Sequence, residues 1–201
     1  MSEIVQKEKE MEKIKQEILQ CKKCSLYKTR HKPVIGEGNL DAKIMFVGEA
    51  PGFNEDRKGR PFVGSAGRVL DELLTSVGIK REEVYITNVV KCRPTTPSLE
   101  NRSPSAEEIK ACSPYLERQI RIIQPEIICT LGNYSTNFIF EKYGMGDKIE
   151  GISKLHGKIF EVKTLFHATK IIPFYHPAVA VYNPKEKEIL LKDFKILKDL
   201  L

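Results

Sequence analysis

Residues 43–56 read KIMFVGEAPGFNED, a short apolar run followed directly by glycine, proline and carboxylates. An uninterrupted apolar run of this length, ending at Gly48, is typical of a buried strand in a parallel sheet. Parallel sheets bind their ligands beyond the carboxyl ends of their strands. The stretch therefore predicts a core strand and, in the polar residues that follow it, part of a functional site.

Outward from this strand, apolar runs alternate with helical patterns along the chain. We predict further core strands at 84–90, 126–131 and 170–175, and a short edge strand at 158–162. Helices are predicted at 2–20, 65–77, 105–123, 133–143 and 184–201, the third beginning with the capping-box signature Ser105-Ala-Glu-Glu108. This alternation is typical of α/β proteins with a doubly wound parallel sheet. We expect a three-layer α/β/α sandwich with a central parallel four-stranded sheet, in a single domain spanning residues 1–201.

The composition narrows the class of protein. Hydrophobic content of 41% and charged content of 30% are ordinary for a globular domain. No run approaches the roughly 18 apolar residues that span a bilayer, and the charged N-terminus is unlike a signal peptide, so we expect a cytoplasmic protein without membrane contact. A net charge of +6 favours a polyanionic partner, with a solvated lysine-rich surface as the alternative. Abundant Lys, Glu and Ile without Trp also fit a thermophile.

Four of the five cysteines are placed like metal ligands. Cys21 and Cys24 form a Cys-x-x-Cys pair, Cys92 follows a predicted strand, and Cys112 lies on a predicted helix. Four thiolates from three segments suit a tetrahedral zinc ion or an iron–sulfur cluster, and the wide spacing favours [4Fe–4S]. The alternatives are a zinc site or a redox pair with scattered core thiols. Cys129 lies in an apolar run and is predicted to be a core thiol.

Three polar segments each follow a predicted strand, so the fold should bring them to one rim. They are 48–56, Asn88, and the stretch from His176 to Pro184. Between the first two lies the glycine-rich segment 59–67 at the start of a helix, where backbone N–H groups could approach a phosphate or a base.

Together with the four cysteines, these segments resemble the family 4 uracil-DNA glycosylases, the iron–sulfur type found in thermophiles. The matching stretches are GEAPG…ED, RPFVGSAG, TNVVKCRP with the downstream Cys112, and HPAVAVYNP, which together cover the chain from about Cys21 to Pro184. The resemblance implies a monofunctional DNA glycosylase that flips uracil out of DNA and hydrolyses its N-glycosidic bond to start base excision repair. It also implies a [4Fe–4S] cluster on Cys21, Cys24, Cys92 and Cys112.

Base reading fits the chemistry of the predicted site. The amide of Asn88 can donate to uracil O4 and accept from N3–H, a pattern that rejects cytosine. Phe62 would stack on the flipped base, and His176 would stabilise the departing uracil anion. The ordinary alternatives are a turn-forming Asn, a core aromatic and a structural His. Gly48, Glu49 and Ala50 would complete the base pocket.

The residues alone do not single out the group that orients the attacking water. The resemblance implies Glu55, with Glu49 lining the pocket, while Asp56 and Glu49 stay open as alternatives. The related family 1 enzymes carry an Asp at the position of Ala50 and a Tyr at that of Gly52, so the means of thymine exclusion is open. No lysine is placed to form a Schiff base, so we expect no strand-cleaving lyase step.

Contacts with DNA are predicted from charge and from backbone donors. The candidates are Gly64, Ser65, Gly67, Lys91, Arg93 and Arg102, with Val181 or Tyr182 filling the gap that the flipped base leaves. The cluster would tether the surface loop 94–104. We expect a monomer acting on single- or double-stranded uracil-containing DNA, with a sliding clamp as a possible partner. The rival interpretations are a zinc-stapled nucleic-acid-binding module, an electron-transfer or radical iron–sulfur protein, and a glycosylase for hypoxanthine or mismatched thymine.

Overall fold

The computed structural model describes residues 3–163 and 168–200, and within them one sheet of six strands runs through the molecule. The strands are β1 (Glu37–Gly38), β2 (Ile44–Gly48), β3 (Tyr85–Asn88), β4 (Ile127–Leu131), β5 (Phe160–Lys163) and β6 (Ala168–Phe174). Their spatial order is β1-β3-β2-β4-β6-β5. The four central strands are parallel, and the two edge strands β1 and β5 are antiparallel to their neighbours.

The expected four-stranded sheet is therefore the centre of a six-stranded one. The predicted edge strand appears as β5, beginning two residues later than expected. Strand β1 was not predicted, because two residues are too few to show a period-2 pattern.

Helices cover both faces of this sheet, which makes the three layers. They are α1 (Glu3–Leu19), α2 (Phe53–Lys58), α3 (Ser65–Ser76), α4 (Ala106–Ile123), α5 (Asn133–Lys142), α6 (Ile152–Leu155) and α7 (Pro184–Leu200). The short helices α2 and α6 were not predicted, since neither is long enough to show an apolar stripe. No described helix combines the length and the apolar character that crossing a bilayer requires.

The side chains of β2 alternate between the two faces of the sheet and pack against the helices on both. Met45 and Val47 join a core with buried residues of α1, α4 and α5, while Ile44 and Phe46 join a second core with α3 and α7. Successive side chains of a strand point to opposite faces, so a fully apolar strand such as β2 supports both layers at once.

The loop 94–104 has a hairpin-like structure of its own. Thr95 bridges Asn101 in antiparallel fashion, and the guanidinium of Arg102 makes a two-pronged ion pair with Glu108 on α4. Glu108 also closes the predicted capping box with Ser105 at the start of that helix. The loop is therefore held at its base by its ion pair with the helix.

Parallel pairing brings the polar ends of the strands together. In the register of β2 and β3, Gly48 lies directly beside Asn88. Strand β6 ends at Phe174, and His176 follows two residues later, next to the start of a 3-10 helix at Pro177–Ala180. The carboxyl ends of β2, β3 and β6 therefore form one rim, as the sequence predicts.

Candidate active site and cysteine pocket

A cavity of about 400 Å³ opens at this rim. Its lining includes most of the residues predicted to bind or cleave the base, namely Glu49, Ala50, Glu55, Phe62, Asn88 and His176. Of the residues predicted to contact DNA, Gly64, Ser65 and Arg102 also line it. Segments far apart in the chain therefore converge on one cavity.

Asn88 lines this cavity with only 2% of its surface exposed. Among the described residues none makes a hydrogen bond with its side-chain amide, while its backbone carbonyl is bound. A buried amide without a protein partner is costly, so its donor and acceptor are available to a ligand.

Gly48 keeps the space in front of this amide open. A β-carbon at position 48 would lie 2.3 Å from Asn88 Oδ1 and 2.7 Å from the Phe62 ring. Both distances are shorter than any real contact of a β-carbon. Glycine at this position therefore allows the aromatic ring and the amide to approach the same point.

Phe62 has an unusual backbone, with a φ of 49°. A positive φ is rare for an aromatic residue and persists only where the surroundings enforce it. Gly67 is part of that enforcement, because a β-carbon there would lie 2.0 Å from the carbonyl oxygen of Phe62. The glycine-rich segment thus aims the Phe62 ring into the cavity, 5.6 Å from the imidazole of His176 between centroids.

His176 is held in one tautomer by its own turn. Its Nδ1 accepts a hydrogen bond from the backbone N–H of Ala178 at 3.2 Å, so the proton of the neutral ring is on Nε2. Burial lowers the pKa of His176 to about 4, with the nearby Glu55 opposing that shift. Near neutral pH the ring is therefore an uncharged donor through Nε2.

Glu55 is fixed through one of its two carboxylate oxygens. Oε1 accepts hydrogen bonds from the backbone N–H groups of Val63 and Gly64, both at 2.9 Å. Among the described residues none donates to Oε2, which lies near Gly52. One oxygen therefore sets the orientation of the carboxylate and the other is free for a water molecule.

The other two carboxylates have different surroundings. Asp56 is buried, and its Oδ1 accepts from the backbone N–H of His31 at 2.9 Å. Asp56 does not line the cavity. Its hydrogen bond anchors the segment at His31. Glu49 does line the cavity, and burial raises its pKa, with Ser103 partly offsetting the shift.

Lys91 is not a DNA contact, and this prediction was wrong. Its side chain is fully buried, and its ammonium group donates to Thr87 Oγ1, the Asn88 carbonyl and Gln119 Oε1. Burial lowers the pKa of Lys91 to about 7, and the neighbouring Cys112 opposes the shift. The sequence motif placed Lys91 beside the site, but only the fold shows that it points into the core.

Other predicted DNA contacts are partly committed to internal bonds. The N–H of Gly64 donates to Glu55, and Gly67 is buried against Phe62. Arg93 bonds Asn101 and the carbonyl of Leu99, so its guanidinium is held at the loop. Because Gly67 packs closely against Phe62, we assign it a packing role and not a contact with DNA.

The two candidate wedge residues differ in their exposure. Tyr182 is 93% exposed, whereas Val181 is partly buried against the core beneath α3 and α7. Of the two, only Tyr182 projects freely from the surface.

Several residues of the lining were not predicted, and Phe53, Asn54 and Asn101 are the ones among them with large or polar side chains. Phe53 is exposed, with the guanidinium groups of Arg57 and Arg93 at 5.8 Å and 5.1 Å from its ring centre. Phe53 and Asn54 lie within residues 43–56, so their position in the polar segment after the first strand could have predicted them. Asn101 gave no signal, since it reaches the cavity only through the folded loop.

The four predicted ligand cysteines line a second, smaller pocket on the α1 and α4 side of the sheet. All are free thiols, and Cys92 and Cys112 are buried. In residues 3–163 and 168–200, no three Cys, His, Asp or Glu side chains converge closely enough to hold a single metal ion. The four cysteines nevertheless line the same pocket. Cys129 is fully buried in the opposite core, as predicted.

N–H groups approach two of these sulfurs. Arg30 Nη1 is 3.3 Å from Cys92 Sγ, and the backbone N–H of Lys91 is 3.2 Å from Cys112 Sγ. Burial raises the pKa values of Cys24 and Cys92, and that of Cys112 to about 12. A bound metal centre deprotonates coordinating thiols, so it would oppose this effect of burial.

Comparison with known proteins defines the class to which this fold and cavity belong. The model of the Uracil DNA glycosylase superfamily matches residues 35–198. The chain is 51% identical to the Type-4 uracil-DNA glycosylase of Sulfurisphaera tokodaii, over 94% of this chain and 84% of that protein. It is 49% identical to the Type-4 uracil-DNA glycosylase of Saccharolobus solfataricus (94% and 85%) and 45% identical to that of Archaeoglobus fulgidus (94% and 92%).

The chain belongs to the uracil-DNA glycosylase superfamily and, within it, to the type-4 group.

Proposed function

We propose that this protein is a monofunctional uracil-DNA glycosylase that flips uracil out of DNA and hydrolyses its N-glycosidic bond, the first step of base excision repair. The observation that carries the proposal is the buried amide of Asn88, which has no described protein partner and lies in one cavity with Phe62 and His176. A flipped base is the ligand that such a cavity fits, since it needs stacking and an edge to be read.

Base reading follows from the direction of the two hydrogen bonds. The Asn88 amide donates to uracil O4 and accepts from uracil N3–H, whereas cytosine would present a donor and an acceptor in the opposite order. Mispairing would leave buried polar groups without partners, which gives strong discrimination. The ring of Phe62, aimed into the cavity by its backbone, stacks on the base.

Departure of the base is assisted by His176. The N-glycosidic bond loosens before water attacks, which leaves negative charge on the uracil ring. The Nε2–H of His176, fixed by the Nδ1 contact with Ala178, donates to uracil O2. A preorganised donor of this kind stabilises the charge as it develops.

Water is oriented by Glu55. Two backbone donors hold its Oε1, so Oε2 keeps a constant direction toward the water that attacks the sugar. The same carboxylate stabilises the cationic sugar. The described lining of the cavity contains no lysine, which supports hydrolysis by water over a Schiff-base step.

A [4Fe–4S] cluster fits the cysteine pocket, held by Cys21, Cys24, Cys92 and Cys112. Each iron takes one thiolate, so the ligands of such a cluster surround it and do not meet at a point. The support from the structure is that all four cysteines line one pocket. N–H donors such as those of Arg30 and Lys91, which approach the sulfurs of Cys92 and Cys112, stabilise such thiolates. The cluster would supply a covalent junction between the N-terminal segment, the end of β3 and α4.

The net charge of +6 favours binding to a polyanion, and the proposed polyanion is DNA. We assign its phosphates to the start of α3 at Ser65, to Arg93 and to Arg102, and the space left by the flipped base to Tyr182. The protein acts as a monomer in the cytoplasm on single- or double-stranded DNA, with a sliding clamp as the proposed protein partner.

The test is base release from matched oligonucleotides that carry U, T, hypoxanthine or C. We expect release of uracil far above the others and no strand cleavage before alkali treatment. Asn88→Ala should lose most of the uracil activity, while Tyr134→Ala, an exposed change on α5, should keep it. Release of hypoxanthine or thymine in preference to uracil would refute the proposed substrate.

A further inference from the structure

Lys91 is a charged residue that the proposed reaction leaves without a role. It is fully buried, one residue before Cys92 and three after Asn88. Its ammonium group has three N–H donors and three acceptors: Thr87 Oγ1 at 2.6 Å, the Asn88 carbonyl at 2.7 Å and Gln119 Oε1 at 2.7 Å. Burying a lysine is expensive even when every donor is satisfied, so its position calls for a reason.

The contact with the Asn88 carbonyl is the informative one. Asn88 is the last residue of β3, and β1 pairs only with Tyr85 and Ile86. Strand β1 therefore does not reach the carbonyl of Asn88. The ammonium group of Lys91 donates to this carbonyl instead. On the other side, Val89 N–H bonds the carbonyl of Gly48. The peptide group that follows Asn88 is thus held from both sides.

The acceptors of Lys91 are themselves held in place. Gln119, on α4, donates through Nε2 to the Ile35 carbonyl at 2.8 Å and to Tyr85 Oη at 3.1 Å. Thr87 donates to the same Ile35 carbonyl at 3.1 Å. The network connects β3, α4 and the segment before β1, so the ammonium group has one well-defined position.

The backbone of Lys91 connects to the cysteine pocket. Its N–H donates to Cys112 Sγ at 3.2 Å, and its carbonyl accepts from Val34 N–H at 2.7 Å. One residue therefore bonds the peptide of Asn88 through its side chain and a cysteine of the second pocket through its backbone.

We propose that Lys91 is a positioning residue for base recognition, which holds the backbone of Asn88 so that its amide meets the edge of the flipped base. The residue also joins the base cavity and the cysteine pocket into one support. This inference rests on the proposed reading of uracil by Asn88. Lys91 acts through Asn88, so its removal should matter only where the amide is present.

A double-mutant cycle tests this dependence. Lys91→Met and Asn88→Ala are made singly and together in the metal-loaded protein. Single-turnover uracil excision and inhibition by free uracil are measured. We expect Lys91→Met to slow excision at least about tenfold and to weaken uracil inhibition by a similar factor. In the Asn88→Ala background the same change should alter both by less than about twofold.

Controls separate positioning from general damage. Thr169→Val removes another buried hydrogen bond of the same sheet, to the carbonyl of Pro125, and should leave both readouts unchanged. Thr87→Val is a gentler variant that removes one acceptor of Lys91, and it should reproduce part of the effect even if Lys91→Met does not fold. Iron content should stay at the wild-type level in each variant, because no cysteine is changed.

Each outcome of the double-mutant cycle supports or overturns the positioning role of Lys91. Equal losses from Lys91→Met with and without the Asn88 amide would overturn the positioning role while leaving base reading by Asn88 intact. Rate losses that track iron content would overturn it as well. Excision at the wild-type rate by Asn88→Ala would instead show that the proposed base reading is wrong, and the inference about Lys91 would fall with it.

Discussion

The side chain of Asn88 offers one donor and one acceptor to the base cavity, whereas Asp at this position would offer acceptors alone. Reversing a hydrogen bond costs about 1–3 kcal/mol, which corresponds to a slowing of about 5- to 150-fold. We expect Asn88→Asp to slow uracil release by this order and to shift preference toward cytosine, whose N4 amino group donates.

Base release from U- and C-containing oligonucleotides measures this shift. The matched control is Asn101→Asp, which places the same charge in the lining of the same cavity and should keep the preference for uracil. Uracil release at the wild-type rate by Asn88→Asp would mean that Asn88 does not read the base.

His176 and Glu55 lie in one cavity but act on different parts of the reaction. Losing a preorganised donor to a developing anion costs about 100- to 1000-fold in rate. We expect His176→Ala to slow single-turnover uracil excision by that order with little change in DNA affinity. Its effect should shrink for 5-fluorouracil, whose anion needs less stabilisation.

Glu55→Ala provides the comparison, because the water and the cationic sugar are common to both substrates. It should slow release of uracil and of 5-fluorouracil to similar extents. Equal losses for His176→Ala on the two bases would show a positioning or structural role, and the assignment to the leaving group would then be dropped.

At the scale of elements, the start of α3 sets the position of the stacking ring. Because a β-carbon on Gly67 would lie 2.0 Å from the Phe62 carbonyl oxygen, Gly67→Ala must displace a backbone that has little room. We expect a lower melting temperature and weaker inhibition by free uracil. Gly146→Ala is the control, since a β-carbon there meets nothing within 4 Å. Unchanged uracil inhibition in Gly67→Ala would show that Phe62 is held by other contacts.

At the scale of the whole molecule, the cysteine pocket joins segments that are distant in the chain. We expect about four iron and about four sulfide per protein chain. Cys112→Ser should lower the iron content and the melting temperature. Cys129→Ala should leave the iron content unchanged, because this thiol is fully buried on the other face of the sheet. Metal analysis that finds zinc, or iron loss in Cys129→Ala, would contradict the assignment.

Much of the fold followed from short-range patterns. The run from Ile44 to Val47 predicted a core strand because a strand buried on both faces is apolar throughout. Ser105 and Glu108 predicted the start of α4 because the capping box is a local interaction. The convergence of Asn88 and His176 followed as well, since parallel strands place their carboxyl ends at one rim.

The sequence by itself thus determined the α/β class, the four central strands, the cysteine set and the polar residues at the strand ends. Only the tertiary structure decided which way individual side chains point and what they contact. It turned Lys91 inward, bound one oxygen of Glu55 to two backbone N–H groups and placed Asp56 against the segment at His31. These outcomes depend on contacts between residues distant in the chain, and a periodicity read over a few residues carries no information about such contacts.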